Sequence, residues 1–213
     1  MKPKRIILVR HGESQGNADP NHYETTPDYA LHLTDEGRVQ ARVAGKQIAE
    51  LIGQEKVRAY VSPWCRTRET FDGIVSVLDD QIVISIEDPR IREQEWGHLV
   101  DVEELKRIRR KRIEYGTFYY RLPDGESGAD VYDRVSTFLE TLHRDFTKPD
   151  FPENAVIVTH GLTLRIFLMR WFHWSVEHFE RVRNPLNGDV VVMEIGSDGR
   201  YEVVTTLRLR EPK

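Results

Sequence analysis

Short apolar runs alternate with longer amphipathic stretches along the chain, and the alternation predicts strands followed by helices. Ile6-Ile7-Leu8-Val9 is a continuous apolar run between charged residues, the pattern of a strand buried on both faces. Residues 12–32 are polar and carry Asn, Asp and Pro throughout, which predicts a loop. Thr34 then suits a helix N-cap, with Asp35 and Glu36 in the favourable first turn. Val39, Val43, Ile48 and Leu51-Ile52 form the expected apolar face of this helix, and Gly53 its stop. Val57–Val61 reads as a second strand, and Ser62-Pro63 as a cap with proline at the first helical position of a helix running to about Leu78. Ile82–Ile86 is a third strand, residues 101–116 a highly charged helix, and Asp124-Gly125 a turn. A long helix is expected over 127–146, a buried strand over 155–159 and a helix over 162–172, with Ser175 capping one more. Val190–Ile195 and Tyr201–Leu209 around Ser197-Asp198-Gly199 read as a hairpin.

This order predicts an α/β chain: a three-layer α/β/α sandwich with a mostly parallel sheet and a C-terminal antiparallel hairpin. No break in composition divides it, so one domain over 1–213 is expected, with a helical insertion at about 99–126 near the functional site. The balance of 31 Lys+Arg against 35 Asp+Glu, net charge −4, disfavours a nucleic-acid partner. A lone cysteine, Cys65, excludes an intramolecular disulfide and a cysteine-cluster metal site. No apolar run approaches the roughly 18 residues of a membrane span. The apolar run before Arg10 is too short for a signal peptide, so a cytoplasmic location is expected. Of the 31 cations, 23 are Arg and 8 are Lys.

In α/β sheets, ligands bind beyond the carboxyl ends of the strands. Arg10-His11-Gly12-Glu13-Ser14 follows the first strand, Ser62-Pro63-Trp64-Cys65-Arg66-Thr67 the second, and His160-Gly161-Leu162-Thr163 the fourth. Two histidines and two arginines therefore belong to one sheet edge. A single such residue is usually a solvated strand end; four at three strand ends point to an anion site, and spacing alone leaves the two readings open. Arginine's planar fork matches phosphoryl oxygens, and a neutral imidazole among cations can attack phosphorus. Cys65 does not fit a cysteine phosphatase, because the arginine six positions on is replaced by Phe71. Neither G-x-x-x-x-G-K nor H-E-x-x-H occurs.

These blocks resemble the histidine phosphatase superfamily of phosphoglycerate-mutase-like proteins. Leu8-Val-Arg-His-Gly-Glu-Ser14 with Asn17, then Leu33-Thr34, Gly37 and Gln40-Ala41, then Ser62-Pro63 with Arg66-Thr67 and Thr70, then Glu93 with Gly97, then Val158-Thr-His-Gly161 with Arg165 follow the family's order. The resemblance implies His11 as nucleophile, with Arg10, Arg66 and His160 clamping the phosphoryl group. It also implies Glu93 as general acid, with Glu13, Glu95 and Glu126 as nearby competitors. Glu13 could instead orient an arginine, and Glu126 could favour the next helix N-terminus. Ser14, Asn17, Gly161 and Leu162 are implied substrate contacts. No metal and no cofactor are implied, since arginines supply the charge.

Hydrolysis and mutase chemistry share this residue set. The mutases carry Trp where this chain has Gly16 and Asn where it has Leu162, and no prolines follow Arg109-Arg110. Arg92-Glu-Gln-Glu-Trp-Gly97 and the stretch Tyr119–Val135 resemble the fungal and plant phosphoglycerate-mutase-like phosphatases. The expectation is a phosphomonoester hydrolase of histidine acid phosphatase type, acting on a small phosphorylated substrate. A phosphoglycerate mutase and an inactive phosphate-binding module are the alternatives. Lys106–Arg112 holds six cations in seven residues, either a steering or nucleic-acid patch or a solvated face balanced by Asp101, Glu103 and Glu104. Tyr115, Phe118, Tyr119 and Tyr120 either roof the pocket or simply pack. Trp171, Phe172 and Trp174 belong to the core or to a homodimer interface.

Overall fold

The computed structural model describes residues 2–97 and 101–210. Its strands are β1 (Arg5–Arg10), β2 (Val57–Val61), β3 (Ile82–Glu87), β4 (Asn154–Thr159), β5 (Val190–Ile195) and β6 (Tyr201–Val203). Its helices are α1 (Gln15–Ala18), α2 (Asp35–Ile52), α3 (Cys65–Leu78), α4 (Val102–Tyr115), α5 (Gly128–Asp145), α6 (Gly161–Phe172) and α7 (Val176–Arg181). The strands form one six-stranded sheet in the order β3-β2-β4-β1-β5-β6. β1 to β4 are mutually parallel, and β5 and β6 add on antiparallel. The expected mixed sheet with a C-terminal antiparallel pair is therefore observed.

Side-chain alternation along the buried strands builds a core on each sheet face. Ile6, Leu8, Tyr60, Ala155 and Ile157 pack with Phe138, Phe167 and Phe179 of α5, α6 and α7. Ile7, Val9, Val57, Val61, Val156 and Val158 pack with Ala44, Ile48 and Ile74 of α2 and α3. Each fully buried aliphatic side chain contributes about 1.5–3 kcal/mol of transfer free energy, so both layers are firmly attached. Trp171, Phe172 and Trp174 are half-buried against the α5–α6 core. Among the described residues, no helix is long and apolar enough to cross a membrane.

Caps fall where polar residues allow. The Thr34 hydroxyl accepts from the Gly37 amide at 3.0 Å, and Ser127 and Ser175 cap α5 and α7 in the same way. Four local expectations change. Ser62-Pro63 does not open α3: the Ser62 amide still bonds the Val158 carbonyl at 3.0 Å, extending the strand, and the helix starts at Cys65. Val39 and Val43 are exposed, because α2 buries Ala41, Ala44, Gly45, Ile48 and Ile52 instead. The last strand stops at Val203, and Leu209 pairs with Val182 rather than with β5. The 12–32 loop holds α1 and two short 3-10 turns, Pro20–Glu24 and Asp28–Ala30.

The α2 face is made of small residues because α3 lies unusually close. A Cβ added at Gly73 would sit 2.6 Å from the Cβ of Ala41, and one at Gly45 3.1 Å from the Ile74 backbone. Gly73→Val therefore lowers unfolding stability by about 1–3 kcal/mol through overpacking. Val43→Ser changes it by no more than about 0.5 kcal/mol. Urea unfolding of both variants checks the assignment of this face.

Candidate active site

The parallel pairing of β1 with β4 ends with Arg10 opposite Thr159. The His11 amide continues it by donating to the Thr159 carbonyl at 3.0 Å. His11 and His160 thus leave adjacent strands at the same level, with ring centroids 5.1 Å apart. Ser62, leaving β2, bonds His160 Nε2 through its hydroxyl at 2.8 Å. The turn after His11 is pressed against the start of α2: a Cβ on Gly12 would lie 2.3 Å from the Gly37 carbonyl oxygen. Only glycine permits that approach.

His11 is buried, and its Nδ1 lies 2.7 Å from the Gly12 carbonyl oxygen. A carbonyl can only accept, so Nδ1 carries the proton and Nε2 presents its lone pair. The buried Arg66 Nε donates to that Nε2 at 3.2 Å. Burial, then the charges of Arg66 and Arg10, hold the His11 pKa well below 6.5. His160 is depressed in the same sense, by burial first and then by Arg66 and His11. Both imidazoles are therefore neutral near pH 7. Ionising either would place a further charge among buried arginines.

A cavity of about 120 Å³ opens at this edge, lined by Arg10, His11, Asn17, Tyr23, Asp28, Arg66, Glu93, Trp96, Leu105 and Arg109. Arg10 donates to the Pro185 carbonyl at 2.6 Å, and its buried Nε has no partner among the described residues. Arg66 stacks over Trp64 at 4.6 Å and bonds the Asp28 carboxylate at 2.8 Å. Burial raises the Asp28 pKa against the opposing pull of Arg66, and burial pushes the Tyr23 hydroxyl up to about 12.

Of the four candidate acids, Glu93 is the one that lines this cavity. Its carboxylate accepts from the Leu162 amide at 3.1 Å, the Thr163 amide at 3.2 Å and the Thr163 hydroxyl at 3.1 Å. It therefore rests on the first turn of α6, where exposed amides favour negative charge. Arg134 of α5 fixes the segment from behind, donating to the carbonyls of Arg90, Arg92 and Glu93 and to the Glu126 carboxylate. Glu126 also binds Arg92, so it is consumed in this bracket rather than placed at the α5 N-terminus. Glu13 accepts from the Thr34 hydroxyl at 2.9 Å rather than orienting an arginine. Glu95 faces a separate groove.

The expected substrate contacts divide. Asn17 lines the cavity. Ser14 lies just behind it, its amide bonded to Asn17 Oδ1 at 3.2 Å and its buried hydroxyl without a partner among the described residues. Gly161 packs on Asn184, and the Leu162 side chain lines a neighbouring cavity. Of the expected insertion, residues 99 and 100 lie outside the described residues, while α4 roofs the site through Leu105 and Arg109. The aromatic roof is not formed: Tyr115 and Tyr119 point to solvent and Phe118 is buried in the core. Sequence reasoning missed Asp28, Tyr23 and the Arg134–Glu126 bracket. Asp28 and Tyr23 sit in an aperiodic polar run that carries no signal. Glu126 and Arg134 are spaced eight apart across the start of α5, where nothing in sequence links them to Glu93.

The model of the histidine phosphatase superfamily, branch 1, matches residues 6–207. The chain belongs to that superfamily. It is 48% identical over 214 residues to the phosphoglycerate mutase-like protein AT74 of Arabidopsis thaliana, covering 94% of this chain and 68% of that one. It is 30% identical over 300 residues to the broad-range acid phosphatase DET1 of Saccharomyces cerevisiae, covering 97% and 90%. A Mycobacterium tuberculosis open-reading-frame product shares the fold at TM-score 0.74 and 22% identity, over 96% and 97% of the two chains. A mycobacterial glucosyl-3-phosphoglycerate phosphatase does so at TM-score 0.74 and 17% identity, over 96% and 99%.

The neutral histidines make stability depend on pH. Their folded pKa values lie below the unfolded value of about 6.5, so the unfolded chain binds more protons as pH falls. Their contribution is complete above about pH 6.5 and is lost as pH drops toward the folded values. Urea midpoints measured between pH 7.5 and 5 are expected to fall, and His160→Gln makes that fall shallower.

Proposed function

We propose that the chain is a phosphomonoester hydrolase that works through a phosphohistidine on His11 without needing a metal ion. The observation that carries this reading is the neutral His11 Nε2, held beside Arg66 and facing a cavity that Arg10 and Glu93 also line. Glu93 first takes the proton of the phosphomonoester monoanion; Nε2 then attacks phosphorus as the ester P–O bond breaks, and Glu93 passes that proton to the departing alkoxide. Water then attacks the phosphohistidine, Glu93 takes back a proton, and phosphate leaves with His11 neutral again. Arg10, Arg66 and His160 hold the equatorial oxygens, where charge builds up in the transition state. Ser14 and Asn17 hydrogen-bond the phosphoryl group or the substrate. The backbone amide of Leu162 holds Glu93, a positioning role. The phosphatase among the relatives supports hydrolysis over transfer.

Assays on p-nitrophenyl phosphate and on a simple alkyl phosphate test the reading. His11→Ala is expected to lose hydrolysis, and Arg66→Ala to lose about 10²–10³ in kcat. Glu93→Gln spares the initial burst of p-nitrophenol from p-nitrophenyl phosphate, whose leaving group needs little protonation, and slows phosphoryl transfer from the alkyl ester by about 10²–10⁴. The acid limb of kcat/KM lies well below pH 6.5, because His11 must be protonated before attack stops. Hydrolysis retained in His11→Ala overturns the phosphohistidine route. Fast isomerisation of phosphoglycerate with little phosphate release favours the mutase.

A further inference from the structure

The two histidines of the candidate site are held by different means. His11 gives its Nδ1 proton to the Gly12 carbonyl at 2.7 Å and leaves Nε2 facing Arg66. His160 has its Nε2 on the Ser62 hydroxyl at 2.8 Å, while its Nδ1 is buried and has no partner among the described residues. Ser62 and His160 are both fully buried.

Ser62 is pinned from both sides. Its amide donates to the Val158 carbonyl at 3.0 Å, and its carbonyl accepts from the Thr67 hydroxyl at 2.9 Å. Trp64, two residues on, sets its ring edge to face against His160 at 4.9 Å and carries Arg66 over it at 4.6 Å. The His160 ring therefore lies boxed between Ser62, Trp64 and His11. The two nitrogens of an imidazole point away from each other, so a ring anchored on Ser62 through Nε2 aims Nδ1 away from β2.

A hydroxyl can donate or accept, and the His160 ring is neutral, so the direction of this bond follows from what else each group can reach. With the proton on Nε2, the hydroxyl would have to accept. The Ser62 hydrogen and the Nδ1 lone pair would then both be buried without a partner among the described residues. With the hydroxyl donating, only the Nδ1 N–H stays open. Leaving one buried polar group open costs less than leaving two. The open group is then a donor, and the charges that act on its ring are those of Arg66, Arg134 and Arg10. A donor in such surroundings is completed by an oxyanion.

We infer that Ser62 is a positioning residue: its hydroxyl fixes the His160 proton on Nδ1 and so makes that nitrogen a donor to a phosphoryl oxygen. The inference rests on the hydrolase reading. Both imidazoles then share one tautomer and serve opposite purposes, His11 offering a lone pair and His160 an N–H. Without the Ser62 hydroxyl nothing holds the proton on Nδ1, and a lone pair there repels the oxygen that the N–H attracts.

Nitrogen-15 NMR of histidine-labelled protein reads the tautomer of each ring, near pH 7.5 and so above the unperturbed histidine pKa of about 6.5. The signals absent from His160→Gln identify that residue. In the wild type both rings are expected as Nδ1–H. In Ser62→Ala, His160 is expected to pass wholly or partly to Nε2–H, while His11, held by Gly12, stays as it was. The same variant is expected to lose about tenfold to a hundredfold in kcat on p-nitrophenyl phosphate, short of the roughly 10²–10³ of a deleted donor. KM changes little, since the charge that the N–H meets builds up in the transition state. Nε2–H at His160 in the wild type overturns the inference. So does a His160 spectrum unmoved in Ser62→Ala, or a moved one with kcat unchanged. A wild type that hydrolyses no ester overturns the hydrolase reading instead, and the spectra, which need no turnover, then decide the Ser62–His160 assignment alone.

Discussion

Everything at the candidate active-site edge depends on the register in which β1 lies beside β4. Arg10 opposite Thr159 puts His11 and His160 at one level. The same register gives Ile6 and Leu8 to one core and Ile7 and Val9 to the other. A slip of one residue would exchange the two faces of β1. It would set residues of β1 shaped for the α5–α6 layer against α2 and α3, and part the two imidazoles. The packing of both layers thus guards the histidine pair, and the geometry needs no dedicated ligand to hold it.

Placing two histidines among arginines has an electrostatic cost that the fold meets by keeping them neutral. Burial and the neighbouring arginines act together on His11 and His160. The negative charges are segregated. Asp28 takes Arg66, Glu126 takes Arg134 and Arg92, and Glu93 is held by amides of α6. This division matters because a carboxylate touching His11 would favour its protonated form. The proposed nucleophile instead meets an arginine N–H, which stabilises the neutral ring.

Much of this was legible in sequence where a local rule and a global need agree. The buried strands, the Thr34 and Ser175 caps and the residues after each strand are of that kind. The α2 face was not, because Val39 and Val43 obey helical periodicity while helix–helix distance favours Ala41, Ala44 and Gly45. Ser62-Pro63 carries a helix-start signal, yet strand pairing with β4 takes the Ser62 amide first. At the site, His11, Arg10, Arg66, His160 and Glu93 follow an ordered motif. Asp28 and Arg134 act through long-range contacts that no spacing encodes.

The basic run 106–112 shows how one stretch of charge can serve two ends. Lys106 and Arg107 pair with Glu103 and Glu104 on the outer face of α4, the solvated balance its composition suggests. Exposed pairs of that kind contribute little to stability. Arg109 and Arg112 lie on the inner side over Trp96, and Leu105 and Arg109 reach the candidate active-site cavity. Helical periodicity divides the run in this way, since positions three and four apart share a face. A chain of net charge −4 can therefore present locally cationic walls at its candidate active-site edge. Attraction for an anion depends on the nearest few charges, because screening removes the rest within about 8 Å at physiological ionic strength.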